Sequence, residues 1–213
     1  MAGLSFNNVK GSGKSAKVDH YKMKDGENRV RLFGAILPRY VYWVPGTNDK
    51  NIPFECLEFN RETETFDRAE KDWVKEFFPD LKAGWAYSMM CLDPEGKAVV
   101  FDFKSKLFQQ IMTAAQDLGD PADPETGWDL VFTRKKTGPL AFNVEYTLNP
   151  IRCQKLVGPL TDEQRATIEA SKTIDELVPR ATPEQQKTQL ERILKPEGED
   201  AVDEETAADL GLT

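Results

Sequence analysis

Aromatic and basic side chains alternate along this chain in a pattern that suits non-covalent capture of an unpaired nucleotide strand. The runs are Arg39-Tyr40-Val41-Tyr42-Trp43; Trp85 with Tyr87; Phe101-Asp102-Phe103-Lys104-Ser105-Lys106; Arg134-Lys135-Lys136; and Phe142 with Tyr146. Flat rings stack on bases at roughly 1–3 kcal/mol each, while neighbouring cations follow the phosphates. Asn28 to Phe33 alternates, with Arg29, Arg31 and Phe33 on one strand face and Val30 and Leu32 on the other. Those two arginines would either line a cationic groove or sit on a solvated outer face. Strand parity puts Trp85, Tyr87 and Met89 together, Phe101 with Phe103, and Phe142 with Val144 and Tyr146. One face of each strand must become core, so some of these rings are interior. The Arg134–Lys136 turn is expected to be exposed in either case.

Little else in the chain suits chemistry. There is one histidine, His20, no nucleophile motif and no spaced set of carboxylates, so no enzymatic activity and no cofactor are expected. Gly13-Lys14-Ser15 imitates the end of a phosphate-binding loop, but Asn8 stands where that motif needs glycine. Cys56, Cys91 and Cys153 are odd in number, distant, and without a CxxC pair. They read as reduced, buried thiols, and no metal is expected. No apolar run approaches the roughly 20 residues of a membrane span. The N-terminus lacks a signal peptide's apolar core, so a cytoplasmic location is expected, with no membrane partner.

The elements that must position these side chains follow from pattern and punctuation. Trp85–Leu92 and Ala98–Phe103 read as two strands joined by the Asp93-Pro94-Glu95-Gly96 turn. Ser105 then caps a helix running to about Leu118 and closed by Gly119. Its apolar face carries Leu107, Phe108, Ile111, Met112, Ala115 and Leu118. Trp128–Arg134 and Leu140–Leu148 make a second hairpin around Lys135–Gly138. With one earlier strand, the order is strand, strand, strand, helix, strand, strand. That is the order of the OB-fold, a five-stranded Greek-key barrel with a helix between strands 3 and 4. The class is therefore mainly β with peripheral helices.

Around this body the chain divides into an arm, an insertion and a C-terminal part. Residues 1–17, with the run Lys10–Lys17, form a flexible basic arm, and the barrel domain spans 18–158. Pro45–Lys82 is an insertion holding a short strand, Phe54–Phe59, and a helix from about Asp67 to Phe78, whose Ala69, Trp73 and Phe77 pack inward. The insertion reads as structural. Ile151–Val157 reads as a further strand. Thr161-Asp-Glu-Gln164 and Thr182-Pro-Glu-Gln185 are capping boxes that start helices within 159–195. The net charge is −8, and Lys195–Thr213 supplies most of it, with seven acidic residues against Lys195 alone. Residues 196–213 hold too little apolar surface to offset ordering entropy and are expected to be disordered.

These stretches resemble bacteriophage single-stranded DNA-binding proteins of the T4 helix-destabilising type. Asp25–Phe33, Gly84–Tyr87 followed by Asp93-Pro94, Phe101–Leu107, Gly127–Leu130, and the hairpin with Phe142 and Tyr146 carry the resemblance in order across most of 25–150, and an acidic tail closes the chain. The resemblance implies an OB-fold core that coats single-stranded DNA without sequence preference, protects it and removes its secondary structure during replication, recombination and repair. It implies base stacking by Tyr87, Phe101, Phe142 and Tyr146. It also implies a tail, here Glu199, Asp200, Asp203, Glu204, Glu205 and Asp209, that recruits replication and recombination proteins such as polymerase, helicase or primase. The T4-type zinc subdomain has no counterpart, and Pro45–Lys82 stands in its place. Two rivals are an RNA-binding OB protein and an acidic protein–protein adaptor with a β-barrel body. A 2′-hydroxyl-reading site would prefer RNA, and an adaptor would leave every ring in the core.

Overall fold

The computed structural model describes residues 18–46, 51–139 and 143–194. The Lys10–Lys17 arm, Phe142 and the acidic tail lie outside the described residues. The sheet is built on β1, Gly26–Pro45, which joins into one 20-residue strand the two segments that its sequence suggests. Gly34 lies in the left-handed region (φ +78°), at a register shift between Phe33 and Leu37 that bends the strand. The first half of β1 pairs with β7 (Asp129–Lys136), and the second half with β2 (Asn51–Glu55). β5 (Gly84–Leu92) pairs along both halves of β1, on either side of the bulge. β6 (Ala98–Asp102) follows β5, and β8 (Val144–Leu148) follows β7, giving the antiparallel order β6-β5-β1-β7-β8 with β2 on β1.

Where a closed five-stranded barrel is expected, the sheet has six strands, and no pairing joins its β6 and β8 edges among the described residues. Helix α2 (Ser105–Leu118) lies between those edges. Gln110 ties it to β8, donating to the Tyr146 carbonyl (3.0 Å) and accepting from the Leu148 amide (2.7 Å). Its bounds match those expected, and Gly119 follows with φ +81°. Ser105 does not cap it, however. Lys104 occupies that position and its side chain makes no capping bond.

Two apolar clusters cover opposite faces of the sheet. Val30, Leu32, Met89, Cys91, Phe101, Leu107, Ile111, Trp128 and Phe132 are buried under α2. Phe33, Leu37, Met90, Leu92 and Val100 pack on the other face against Ile174 and Val178, at α5 (Ile174–Leu177). A third cluster, of Tyr42, Val44, Phe54, Phe59, Val74 and Leu190, joins the insertion to α6 (Pro183–Leu194).

The insertion contains β2, a small hairpin of β3 (Phe59–Asn60) and β4 (Thr65–Phe66), and α1, which is only Trp73–Phe77. The longer helix expected from Asp67 does not form. Asp67 turns back instead, accepting from the Ala69 amide, and Asp72 caps α1 through the Val74 amide.

Ile151–Val157 is likewise not a strand. Asn149 accepts from the Arg152 amide and Pro150 occupies the first turn, so α3 (Pro150–Gln154) begins there. The capping boxes at Thr161 and Thr182 open α4 (Asp162–Ala170) and α6, and Thr173 with Glu176 forms another at α5. The C-terminal helices pack tightly on the body. Buried Gln186 accepts from the Trp73 amide and donates to the Glu55 carbonyl, while Arg180 donates to the Leu57 and Phe59 carbonyls.

Candidate functional site

The first half of β5 leaves the core and carries its rings to the surface. Trp85 and Tyr87 share a face with buried Met89 and Cys91; half-buried Tyr87 packs against the margin of the α2 core, and exposed Trp85 lies beyond it. Trp85 is 48% exposed. Its ring stacks on Tyr87 (centroids 5.7 Å apart, planes at 4°), and Tyr87 stacks on Phe108 of α2 (4.4 Å, 10°). Phe108 abuts Phe103 edge to face, which anchors the inner end of the stack. At the outer end no further ring lies parallel to Trp85 among the described residues. Tyr40 lies opposite Trp85 in the β1–β5 register and meets it edge to face at 4.9 Å. Phe66, 49% exposed, stands against the same Tyr40 at 5.0 Å and 88°. Burial lifts the Tyr87 hydroxyl above its ordinary pKa, with the nearby Glu64 carboxylate adding to the shift.

Cations lie at the inner end of this row. The Phe103 amide donates to the Tyr87 carbonyl, so Lys104 follows directly beside the stack. Lys104 and Lys106 are exposed and form no ion pair among the described residues. Gln110, which holds Tyr146 through its carbonyl, also bonds the Lys106 carbonyl. Half-buried Tyr146 and the β7–β8 hairpin, with exposed Lys136, therefore continue from the first turn of α2. A path of rings and cations runs from the insertion hairpin over β1 and β5 to α2 and β8.

Of the residues singled out from the sequence, the structure brings Tyr40, Trp85, Tyr87, Lys104, Lys106, Tyr146 and Lys136 to this path, while Lys135, paired with Glu145, takes the opposite face of the β7–β8 hairpin. Others belong elsewhere. Phe101 (0% exposed) and Phe103 are core, so Phe101 cannot stack on a base. Tyr42 is buried and donates to Cys56 Sγ, and burial raises its hydroxyl pKa. Trp43 is exposed but projects from the other face of β1, since Tyr40 and Tyr42 take the face turned to the rings.

The arginines are also spent on the fold. Arg31 is buried and donates to the carbonyls of Asp123 (3.0 Å) and Gly158 (2.9 Å). Gly127 is packed so closely there that a Cβ would lie 2.3 Å from the Asp123 carbonyl oxygen. Arg39 is buried, donating to Ser88 Oγ (2.7 Å) with Asp102 Oδ1 3.7 Å away. Burial lowers the pKa of both guanidiniums. Arg29 pairs with Asp129 (2.6 Å), and Arg134 with Asp25. Phe142 and the tail residues are outside the described part.

Asp102 anchors the buried polar group. Burial works against its charge, but His20 Nδ1 (2.8 Å), the Ser88 hydroxyl (2.6 Å) and Arg39 outweigh it and hold the carboxyl below its ordinary range. The three cysteines are buried, and desolvation raises each thiol pKa, that of Cys56 to about 11. Among the described residues no cluster of His, Cys, Asp or Glu is arranged to hold a metal ion, and no helix is long and apolar enough to cross a membrane.

Two site residues escaped the sequence reading. Phe108 reads as plain helix core, and Phe66 lies in a two-residue strand with no periodicity to mark it.

No protein-family model matches the chain. It is 30% identical over 167 residues to a protein of Escherichia phage T5 described as a probable ssDNA-binding protein. The match covers 72% of this chain and 63% of the phage T5 protein, so the chain spans less than two thirds of that relative's length.

Proposed function

We propose that this chain binds single-stranded DNA without sequence preference, along the path from Trp85 and Tyr87 to Lys104 and Lys106. The observation that carries the reading is the Trp85–Tyr87–Phe108 stack, ended by half-exposed Trp85 and flanked by lysines at its inner end. A solvated protein surface has no need of three parallel rings ending in a half-exposed tryptophan, whereas an unpaired base extends such a stack. The phage T5 relative's description points the same way. In this reading the sheet is an OB-like barrel of phage origin, acting without catalysis in the host cytoplasm. It coats and protects strands during replication, recombination and repair, and the acidic tail recruits polymerase, helicase or primase.

Titrating the intact chain with oligo(dT) tests the binding. Tryptophan emission should be quenched on saturation, with similar affinity for mixed sequences and weaker binding to poly(U). Unchanged emission with no binding overturns the reading, and a preference for poly(U) replaces it with the RNA alternative. Removing residues 196–213 should tighten binding at low salt and abolish capture of the replication proteins. Retained capture overturns the recruiting role.

A further inference from the structure

We propose that the β3–β4 hairpin of the insertion is the second wall of the nucleic-acid path, with Phe66 as a base-stacking ring. The proposal rests on the single-strand reading above and adds to it a segment that the sequence marks only as structural. Three observations carry it. Phe66 is half exposed and belongs to none of the buried clusters, yet it stands edge to face on Tyr40 (5.0 Å) and Phe59 (5.4 Å). Those same two rings hold Trp85, at 4.9 and 5.1 Å. Phe66 and Trp85 are thus two half-exposed rings raised on one aromatic floor, one from the insertion and one from β5.

The hairpin is also held in a costly shape. Glu64 and Arg68, two residues before and two after Phe66, have φ of +50° and +54°, a region that side chains other than glycine rarely adopt. Local bonds maintain it. Asn60 Oδ1 accepts from the Glu62 and Thr63 amides, Asn60 Nδ2 donates to Asp67, and the Arg68 amide donates to the Glu58 carbonyl. Strain of this kind persists where the surroundings over-determine it and clusters at binding sites. Here its product is a preorganised exposed ring, which lowers the ordering cost of stacking.

Charge gives the wall its polarity. Arg61 is taken up by Glu55, and Glu62, Glu64 and Asp67 outnumber exposed Arg68, which leaves the hairpin net acidic, whereas Lys104 and Lys106 lie across the row, on the α2 side. A bound strand therefore turns its bases toward Phe66 and Trp85 and its phosphates toward the lysines.

The experiment uses the full chain and oligo(dT) of graded length, roughly 4 to 16 nucleotides. Phe66→Ala should weaken binding about 5- to 100-fold with an unchanged melting temperature, and Phe66→Trp should restore it. Iodouracil-substituted oligo(dT) should photocrosslink to Phe66 in the unmutated chain, a readout independent of how any variant folds. Trp85→Ala is the control for the underlying reading. If Trp85→Ala weakens binding while Phe66→Ala binds as the parent and position 66 does not crosslink, the hairpin proposal is overturned and the single-strand reading stands. If neither substitution matters and no crosslink forms, the single-strand reading itself is lost.

Discussion

One strand, β5, serves two purposes along a single face. Met89 and Cys91 lie under α2 with almost no exposure, whereas Trp85 and Tyr87, on the same side, emerge into a half-open row of rings. The residue types differ little in apolar character. What differs is the cover: α2 begins at Ser105 and reaches Tyr87 through Phe108, whereas Trp85 meets Tyr40 and the insertion's Phe59 instead. A ring is core or site according to where its cover stops, and that boundary can be moved or tested by substitution.

The buried end should give the largest effect. Phe101→Ala removes a fully buried ring that touches Phe103, Phe132 and Tyr21. It should cost about 3–5 kcal/mol of stability. Chemical denaturation measures the loss, and the fraction that remains folded should bind oligo(dT) as the parent does. A selective loss of DNA affinity would return Phe101 to the site and erase the contrast.

The next effect tests the polar network behind β5. Asp102 has a lowered folded pKa, so its contribution is fully present above the ordinary carboxylate range and is lost as pH falls through the folded value. Asp102→Asn leaves Arg39 buried beside a neutral partner. Because the Asp102 side chain is 27% exposed, the cost at neutral pH should be about 2 kcal/mol, less than for a fully enclosed pair. Melting temperatures measured from neutral to acid pH should converge for variant and parent below the carboxylate range. Curves that stay parallel throughout would show that the charge of Asp102 is not what holds Arg39.

At the open end the readouts should exchange places. Trp85→Ala should weaken oligo(dT) binding by roughly 1–3 kcal/mol and leave folding almost unchanged. Tyr87→Ala should do both, since Tyr87 lies between the stack and the core cluster. If Trp85→Ala instead lowers stability as Phe101→Ala does, the row is only an uncovered margin of the core.

The same contrast explains how much the sequence disclosed. Helix α2, the Asp93–Gly96 turn and the capping boxes at Thr161 and Thr182 were legible because each depends on residues within a few positions. Asn149-Pro150 is an equally local helix signal, and it overrides the strand expected from the apolar residues of Ile151–Val157. The sorting of rings was not legible, because clusters cover both faces of the sheet and alternation then carries no burial information. The arginines misled for a different reason. Arg31 meets the Asp123 and Gly158 carbonyls and Arg39 meets Ser88, partners 49 to 127 positions away. Nothing near either residue marks it as already paired. Phe66 was invisible because its role depends on Tyr40 and on an irregular hairpin.

The smallest effect concerns the lysines, and it should change sign between two measurements. Lys104 precedes α2 and Lys106 lies in its first turn, where no acidic residue stands and no side chain caps the helix. The helix dipole disfavours cations at that end by roughly 0.3–1 kcal/mol each. Replacing both by glutamine should therefore raise the melting temperature by a few degrees at most, since about 1 kcal/mol moves a chain of this size by roughly 2–4 °C. DNA binding should weaken in the same variant. Each phosphate contact on a single strand contributes about 0.7 to the slope of log affinity against log salt, so losing two should make the plot shallower by about 1.4. A gain in stability together with a shallower salt dependence fits cations placed for a ligand at the expense of the fold. A loss of stability with an unaltered slope would make them ordinary surface residues and would leave the open end of β5 with rings but no phosphate contact beside them.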